Sequence, residues 1–351
     1  MGFFCVCTLT HCAENFIEAP LSNNDATPLT QTPTPIVGDG FASLSGVALN
    51  RTLDLTWTSG ATATSWCVSE SQGEPPILAC DGGQGELGGW SATAPAHYTL
   101  AAGDGAKLLY VWVRDASGTL IPMPAVVPIF LIEAVGLIPF TNGSGTTVTE
   151  LFGLPVSFFP GSNGRWINRG IQLDGNTSYV DLGAPNALRF TGSFSISMWV
   201  KSFQSGGQIL LGRYDPFSNN KAYRFQFTPT ALQFEITKDG TSAIGKMARV
   251  QADYSSRGFL NRWRHITAVY QARGDGASRL ALYVDGIKID ETNTAPGSIH
   301  DPNGLKVLIG MASDLISYAV SGQVGSVAFV SSPLTDQVIQ ALFAAQKPLY
   351  P

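Results

Sequence analysis

Apolar side chains return every second residue over much of this chain, the period of a strand with one buried face. In the first third, Leu53, Leu55 and Trp57 alternate with Asp54 and Thr56, and Leu109, Val111 and Val113 are interleaved with Tyr110 and Trp112 before a turn over residues 115–118. The second of these runs is apolar on both sides and predicts a central strand of a sandwich. Beyond Arg169 the pattern sharpens. Phe194, Ile196, Met198 and Val200 alternate with Ser193, Ser195 and Ser197; Tyr223, Phe225 and Phe227 mirror Leu232, Phe234 and Ile236 across residues 228–230; Ile266, Ala268 and Tyr270 form another run. Leu280, Leu282 and Val284 lead into Asp285-Gly286 and then Ile287 and Ile289. Asp-Gly between two alternating runs predicts a hairpin with a type I′ turn, whose twist matches the flanking strands. Only at Leu334, Val338 and Leu342 does the spacing lengthen to four, which predicts a short amphipathic helix. Many antiparallel strands with little helix predict an all-β chain built of sandwiches.

Composition supports this pattern and adds a division. Charged residues make up 13% of the chain, against about 25% in ordinary soluble domains. A helical protein would carry more Glu, Lys and Arg on its solvent faces. Residues 1–165 hold four Lys/Arg against thirteen Asp/Glu, and residues 166–351 hold seventeen against thirteen, giving formal charges of −9 and +4. The two halves are different objects, and the mild positive charge of the second has no dense basic cluster of the kind that binds nucleic acid. The expected organisation is a leader or tether with a Pro/Thr-rich linker (1–40), a first sandwich (41–122), an interdomain segment (123–165) and a second sandwich (166–351). Residues 125–138 are the longest apolar stretch, but Pro128 and Glu133 interrupt it. They read as a buried strand or interdomain contact, and no segment offers the roughly 20 apolar residues of a spanning helix.

Cysteines are confined to the first half. Cys5, Cys7 and Cys12 have irregular spacing and only His11 beside them, a poor zinc set. Cys67 and Cys80 could close a local disulfide in an exported protein, worth about 3 kcal/mol on the chain-entropy account; the alternative is two unpaired small hydrophobes.

Several motifs carry a family resemblance. Residues 41–122 resemble fibronectin type III or immunoglobulin-like modules of bacterial surface proteins, through Trp66, Cys67, Val68 and Ser69, through Gly89 and Trp90, and through the run from Tyr110 to Ala116. The second half resembles the laminin G-like branch of the concanavalin A-like lectin fold. The motifs are Leu173-Asp174-Gly175 with Tyr179-Val180, Gly192 to Val200, Trp263 to Tyr270, Leu282 to Gly286, and Gly322 to Val330 followed by Pro333 to Leu342. The resemblance implies a jelly roll at the cell surface or outside the cell, in adhesion or in recognition of a glycan or surface protein, sometimes with calcium. For calcium the candidate is Asp174 at the head of the Gly175-Asn176 turn, against the plainer reading of an ordinary turn. The closing strand reads Gln323, Val324, Gly325, Ser326, Val327 where metal-binding relatives often add an acid.

An enzyme of the wider fold would need paired carboxylates on alternate strand positions. The second half has only two glutamates, Glu235 and Glu291. Glu235 reads as a surface residue, and Asp290 and Glu291 are adjacent, so a strand would point them in opposite directions. No catalytic residue is therefore assigned. The stretch that best suits a ligand is residues 212–223, with Arg213, Tyr214, Asp215, Asn219 and Asn220 as the binding set and Phe217 and Lys221 beside them. The competing reading folds Tyr214 and Phe217 back over the core. His300, Asp301 and Asn303 form a smaller second candidate. Two other readings are a self-assembling structural subunit of a surface fibre or sheath and a polysaccharide-active enzyme.

Overall fold

The computed structural model describes residues 35–38, 47–57, 63–70, 90–121 and 125–351. Cys5, Cys7, Cys12, Cys80, Gly89 and most of the expected linker lie outside the described residues. Nearest the amino terminus are β1 (Pro35–Gly38), β2 (Val47–Ala48), β3 (Thr52–Trp57), β4 (Ser65–Ser69), β5 (His97–Thr99), β6 (Gly105–Arg114) and β7 (Ala125–Leu131). They form a three-stranded sheet, β1-β3-β5, and a four-stranded sheet, β2-β7-β6-β4. The alternation read from the sequence explains the packing. Leu53, Leu55 and Tyr98 of the first sheet meet Val68, Leu109, Val111, Val113, Ile129 and Leu131 of the second in one buried cluster. Trp66 is buried there too, its ring 4.6 Å from that of Trp57.

The rest of the chain forms two larger sheets from β8 (Ala134–Ile138), β9 (Ser157–Phe159), β10 (Arg165–Ile167), β11 (Gly170–Asp174), β12 (Tyr179–Asp181), β13 (Phe194–Ser202), β14 (Gln208–Tyr214), β15 (Lys221–Phe227), β16 (Ala231–Thr237), β17 (Met247–Asp253), β18 (Arg264–Gln271), β19 (Ser278–Val284), β20 (Ile287–Ala295), β21 (Leu308–Ile309) and β22 (Ser321–Val330). The eight-stranded sheet runs β10-β11-β22-β13-β18-β19-β20, with β8 also paired to β22; the seven-stranded sheet runs β17-β16-β15-β14-β21-β12-β9. The expected interdomain segment, whose residues 125–138 read as a buried strand or contact, is built into the sheets. It gives β7 to the first sandwich, and β8, β9 and the start of β10 to the large sheets, because its apolar residues find strand partners on both sides.

The inward faces carry the predicted apolar sets. Phe194, Ile196, Met198 and Val200 face Tyr223, Phe225, Phe227, Leu232, Phe234 and Ile236 across a shared core. Fully burying one such side chain contributes about 1.5–3 kcal/mol before the entropy of ordering it is counted. The Asp285-Gly286 turn has φ of 51° and 78°, the two positive angles that a type I′ turn requires.

Among the described residues two α-helices accompany the strands, α1 (Tyr254–Arg257) and α2 (Asp336–Gln346). Thr335 caps α2, its side chain accepting from the Val338 N–H. Val338, Ile339 and Leu342 bury one stripe of α2 against Val269, Ala281, Tyr283, Ala328 and Val330 on the outward face of the eight-stranded sheet. Leu49 and Ile132 of the amino-terminal region join the same cluster. The serine-bearing face of β13 is therefore covered, with Ser195 and Ser197 almost fully buried.

Candidate functional site

Of the predicted binding set, β14 holds the first two members in the interior. Arg213 is 1% exposed; its Nη1 donates to Asp301 Oδ1 at 2.5 Å, its Nε to the Leu305 carbonyl at 3.0 Å and its Nη2 to the Pro302 carbonyl at 2.5 Å. Arg189 shares Asp301, and its hydrogen bonds, reinforced by those of Arg213, hold that carboxyl below its ordinary value against the opposing effect of partial burial. The two candidate loops are brought together, but by a structural ion pair. Tyr214 is 4% exposed, packed with Ile209 and Ala312 under the Arg224 guanidinium 3.9 Å from its ring. No face of Tyr214 is left for a sugar to stack on. These two placements correct the sequence reading: a bulge in β14 beside Tyr214 and the overlying residues 312–313 close what alternation presented as a loop. Asp215 accepts from Phe217 N at 3.0 Å and Ser218 Oγ at 2.6 Å, which makes it a turn former. Asn219 and Asn220 are exposed, as is Phe217.

Asp174 is likewise a turn former. Its Oδ1 accepts from the N–H groups of Asn176, Thr177 and Ser178 at 2.9, 2.9 and 3.0 Å, and from Ser178 Oγ at 2.8 Å. Partial burial pushes this carboxyl up, but hydrogen bonds from Ser178, Asn176 and Thr177 outweigh it and hold it well below the usual carboxylate range. Donors surround the oxygen that a calcium ion would need, and no group of three His, Cys, Asp or Glu is assembled as a metal site among the described residues. Cys67 is buried in β4 opposite Trp112; its expected partner Cys80 lies outside the described residues.

The two glutamates differ from expectation in opposite ways. Glu235 is not a surface residue: it is fully buried, clasped by Arg224 at 2.6 Å and Arg249 at 2.5 Å. Period two aimed it away from the core correctly but could not show that two arginines on the neighbouring strands cover it. Glu291 and Asp290 do diverge, Asp290 accepting from Gln251 N on β17 at 2.8 Å and Glu291 turning to Arg279.

Around Glu291 lies a cleft that the sequence did not reveal. It is an open depression of about 520 Å3 between β18, β19, β20 and the start of α2, and its polar lining comprises Gln271, Arg273, Arg279, Lys288, Glu291, Asn293 and residues 335–337. Glu291 Oε2 accepts from Arg279 Nε at 2.8 Å and Lys288 Nζ at 3.0 Å; Arg279 also donates to Tyr283 Oη, which donates to Asp336 Oδ1 at 2.6 Å. The Arg279 hydrogen bond, opposed by burial and aided by Lys288, brings the Glu291 carboxyl down to about 2. Arg273, exposed at the rim, bonds Gln271 Oε1 at 2.6 Å and has no carboxylate partner among the described residues. A strand of strict period two would put Lys288 and Glu291 on opposite faces. An extra residue between them, Ile289, shifts the β19–β20 register so that Lys288 stands opposite Tyr283 and Glu291 opposite Ala281, on one face.

Residues 174–340 match the family model described as the concanavalin A-like lectin/glucanases superfamily. The two large sheets form a concanavalin A-like fold. Among solved structures, the botulinum neurotoxin serotype G binding domain is similar at 12% identity, covering 61% of this chain and 51% of that one, with a TM-score of 0.48. The serotype D ligand-binding domain in complex with N-acetylneuraminic acid gives 12%, 61%, 51% and 0.47. The binding domain of Paraclostridial mosquitocidal protein 1 gives 15%, 59%, 51% and 0.44. The matched part spans about half the length of each of these chains. No curated protein matches the sequence. No helix among the described residues is long and apolar enough to cross a membrane.

Proposed function

We propose that this is a non-enzymatic extracellular recognition protein whose concanavalin A-like domain takes a saccharide in the Arg273–Glu291 cleft. The observation that carries the reading is the cleft itself, a concave site lined by amides, a hydroxyl and fixed charges that suit the hydroxyl groups of a sugar. The chemistry of its acids favours binding over hydrolysis. A glycosidase needs one carboxyl that holds a proton beside one that is ionised, whereas Arg279 and Lys288 keep Glu291 ionised and Asp336, the other carboxylate of the cleft, accepts from Tyr283 Oη with the same two cations nearby. Glu235 is tied up on the other large sheet and cannot complete a pair. The amino-terminal sandwich acts in this reading as a spacer of fibronectin III or immunoglobulin type, with a Cys67–Cys80 disulfide that intact mass with and without reductant would test.

The functional test is a glycan array on the full chain beside a polysaccharide-hydrolysis screen. Wild type should bind, and Arg273→Ala should bind at least tenfold more weakly with an unchanged melting temperature. Turnover of any polysaccharide, or equal binding by the variant, would overturn the reading.

A further inference from the structure

Among the described residues, the three most exposed large hydrophobic side chains are Ile244 at 103%, Ile316 at 82% and Phe217 at 79%; the next is Ile287 at 61%. They are far apart in sequence, yet their loops are laced together. Ser313, at the root of the third loop, donates its N–H to the Tyr214 carbonyl at 3.0 Å, and the Tyr214 N–H donates to Ser313 Oγ at 3.0 Å. The Tyr214 hydroxyl lies close to Ser242 in the second loop. Gly240 of that loop lies so close to the Asn219 carbonyl of the first that a Cβ there would stand 1.7 Å from the oxygen.

Each tip is held outward by a turn. Asp215 accepts from Phe217 N and Asp314 from Ile316 N, both at 3.0 Å, and Ile244 sits inside a turn closed by Lys246 N donating to the Ala243 carbonyl at 3.0 Å. The exposure is thus fixed by the backbone at three places and is not the fraying of one loop. Exposing three such side chains is unfavourable in water, and scattered apolar residues do not ordinarily converge on one group of loops.

We infer that this end of the domain docks on a lipid bilayer. Three separate prongs with polar necks fit a bilayer, which accepts apolar tips wherever they enter, better than a protein partner, which would need three matching pits. The carboxylates of these loops are engaged within them, Asp215 and Asp314 by the N–H and hydroxyl groups of their own turns and Asp239 by Thr241 and Lys246, whereas Lys221, beside the Tyr214 ring, has no carboxylate partner among the described residues and places a cation in the collar for a headgroup phosphate. The surface is distinct from the Arg273–Glu291 cleft and does not depend on saccharide binding.

The test is cosedimentation of the full chain with vesicles of phosphatidylcholine containing phosphatidylserine and no glycolipid. Wild type should partition to the vesicles, Ile244→Ser should bind severalfold more weakly, and the triple variant Phe217→Ser, Ile244→Ser, Ile316→Ser should lose at least tenfold. Melting curves of the variants should overlay that of wild type, because every substituted side chain is in solvent. Failure of wild type to sediment with the vesicles, or equal binding by the triple variant, would overturn the inference.

Discussion

On the outward face of the seven-stranded sheet, Gln226 donates to Gln233 and Gln233 to Gln251 across three neighbouring strands, and Arg224 and Arg249 bracket Glu235. On the outward face of the eight-stranded sheet, Ser197 and His265 lie 2.7 Å apart beneath Trp199, Phe343 and Tyr350. Both faces bury polar groups, by different means. The first closes over itself, and its amides and charges satisfy one another. The second is closed by α2 and the residues after it, and there His265 Nδ1, Ser326 Oγ and Gln346 Nε2 have no hydrogen-bond partner. A network that covers itself is tight but fails if one member is lost, whereas a helix laid over polar groups keeps unpaired atoms that respond to protonation.

The sharpest way to break the first arrangement is Glu235→Ala. It leaves two guanidinium groups without their buried counter-ion and should cost about 3–5 kcal/mol in urea unfolding. A loss below about 1 kcal/mol would mean that the arginines find water easily and that the face is not self-supporting. Tyr214→Ala should cost about 3 kcal/mol, since it empties a buried site beneath Arg224, and the melting temperature should fall accordingly.

The helix-covered face is probed by pH. Burial pushes His265 down from 6.5 to about 3, so the folded protein holds it neutral while the unfolded chain protonates it in mild acid. Its contribution is complete above pH 6.5 and is lost as pH falls toward 3. At pH 5 the loss should be about 2 kcal/mol relative to neutral pH. Denaturant midpoints measured from pH 7 to 5 should fall for wild type and flatten for His265→Gln. The same slope in both proteins would show that His265 is not the group responsible. Phe217→Ala should change stability by less than about 0.5 kcal/mol, three residues from a tyrosine whose loss is severe.

That contrast marks what the sequence could disclose. The inward faces were legible because one apolar set per strand repeats without interruption, and so were the Asp285-Gly286 turn and the helix after Leu334. The outward faces were not, because a buried Glu235 and an exposed one follow the same alternation, and only the arginines on adjacent strands distinguish them. Asp174, Arg213 and Tyr214 combined the residue types of a site with positions in turns and strands, and hydrogen bonding assigned them to structure. The cleft was invisible because it depends on an irregular register and on a helix folding back from about 40 residues further along the chain.

The irregular register also sets which changes of chain length the cleft can absorb. With Ile289 removed, Lys288 would still face Tyr283 and Asp290 would still face Leu282, so the ladder would become regular with Arg279, Lys288 and Glu291 in place. A second register shift, between the Leu280–Thr292 and Ser278–Ala295 pairs, gives the strand another such point toward its end. The strand therefore has permissive points on both sides of Glu291, and variants that differ by one residue at 289 can share a cleft that a substitution at Glu291 would abolish.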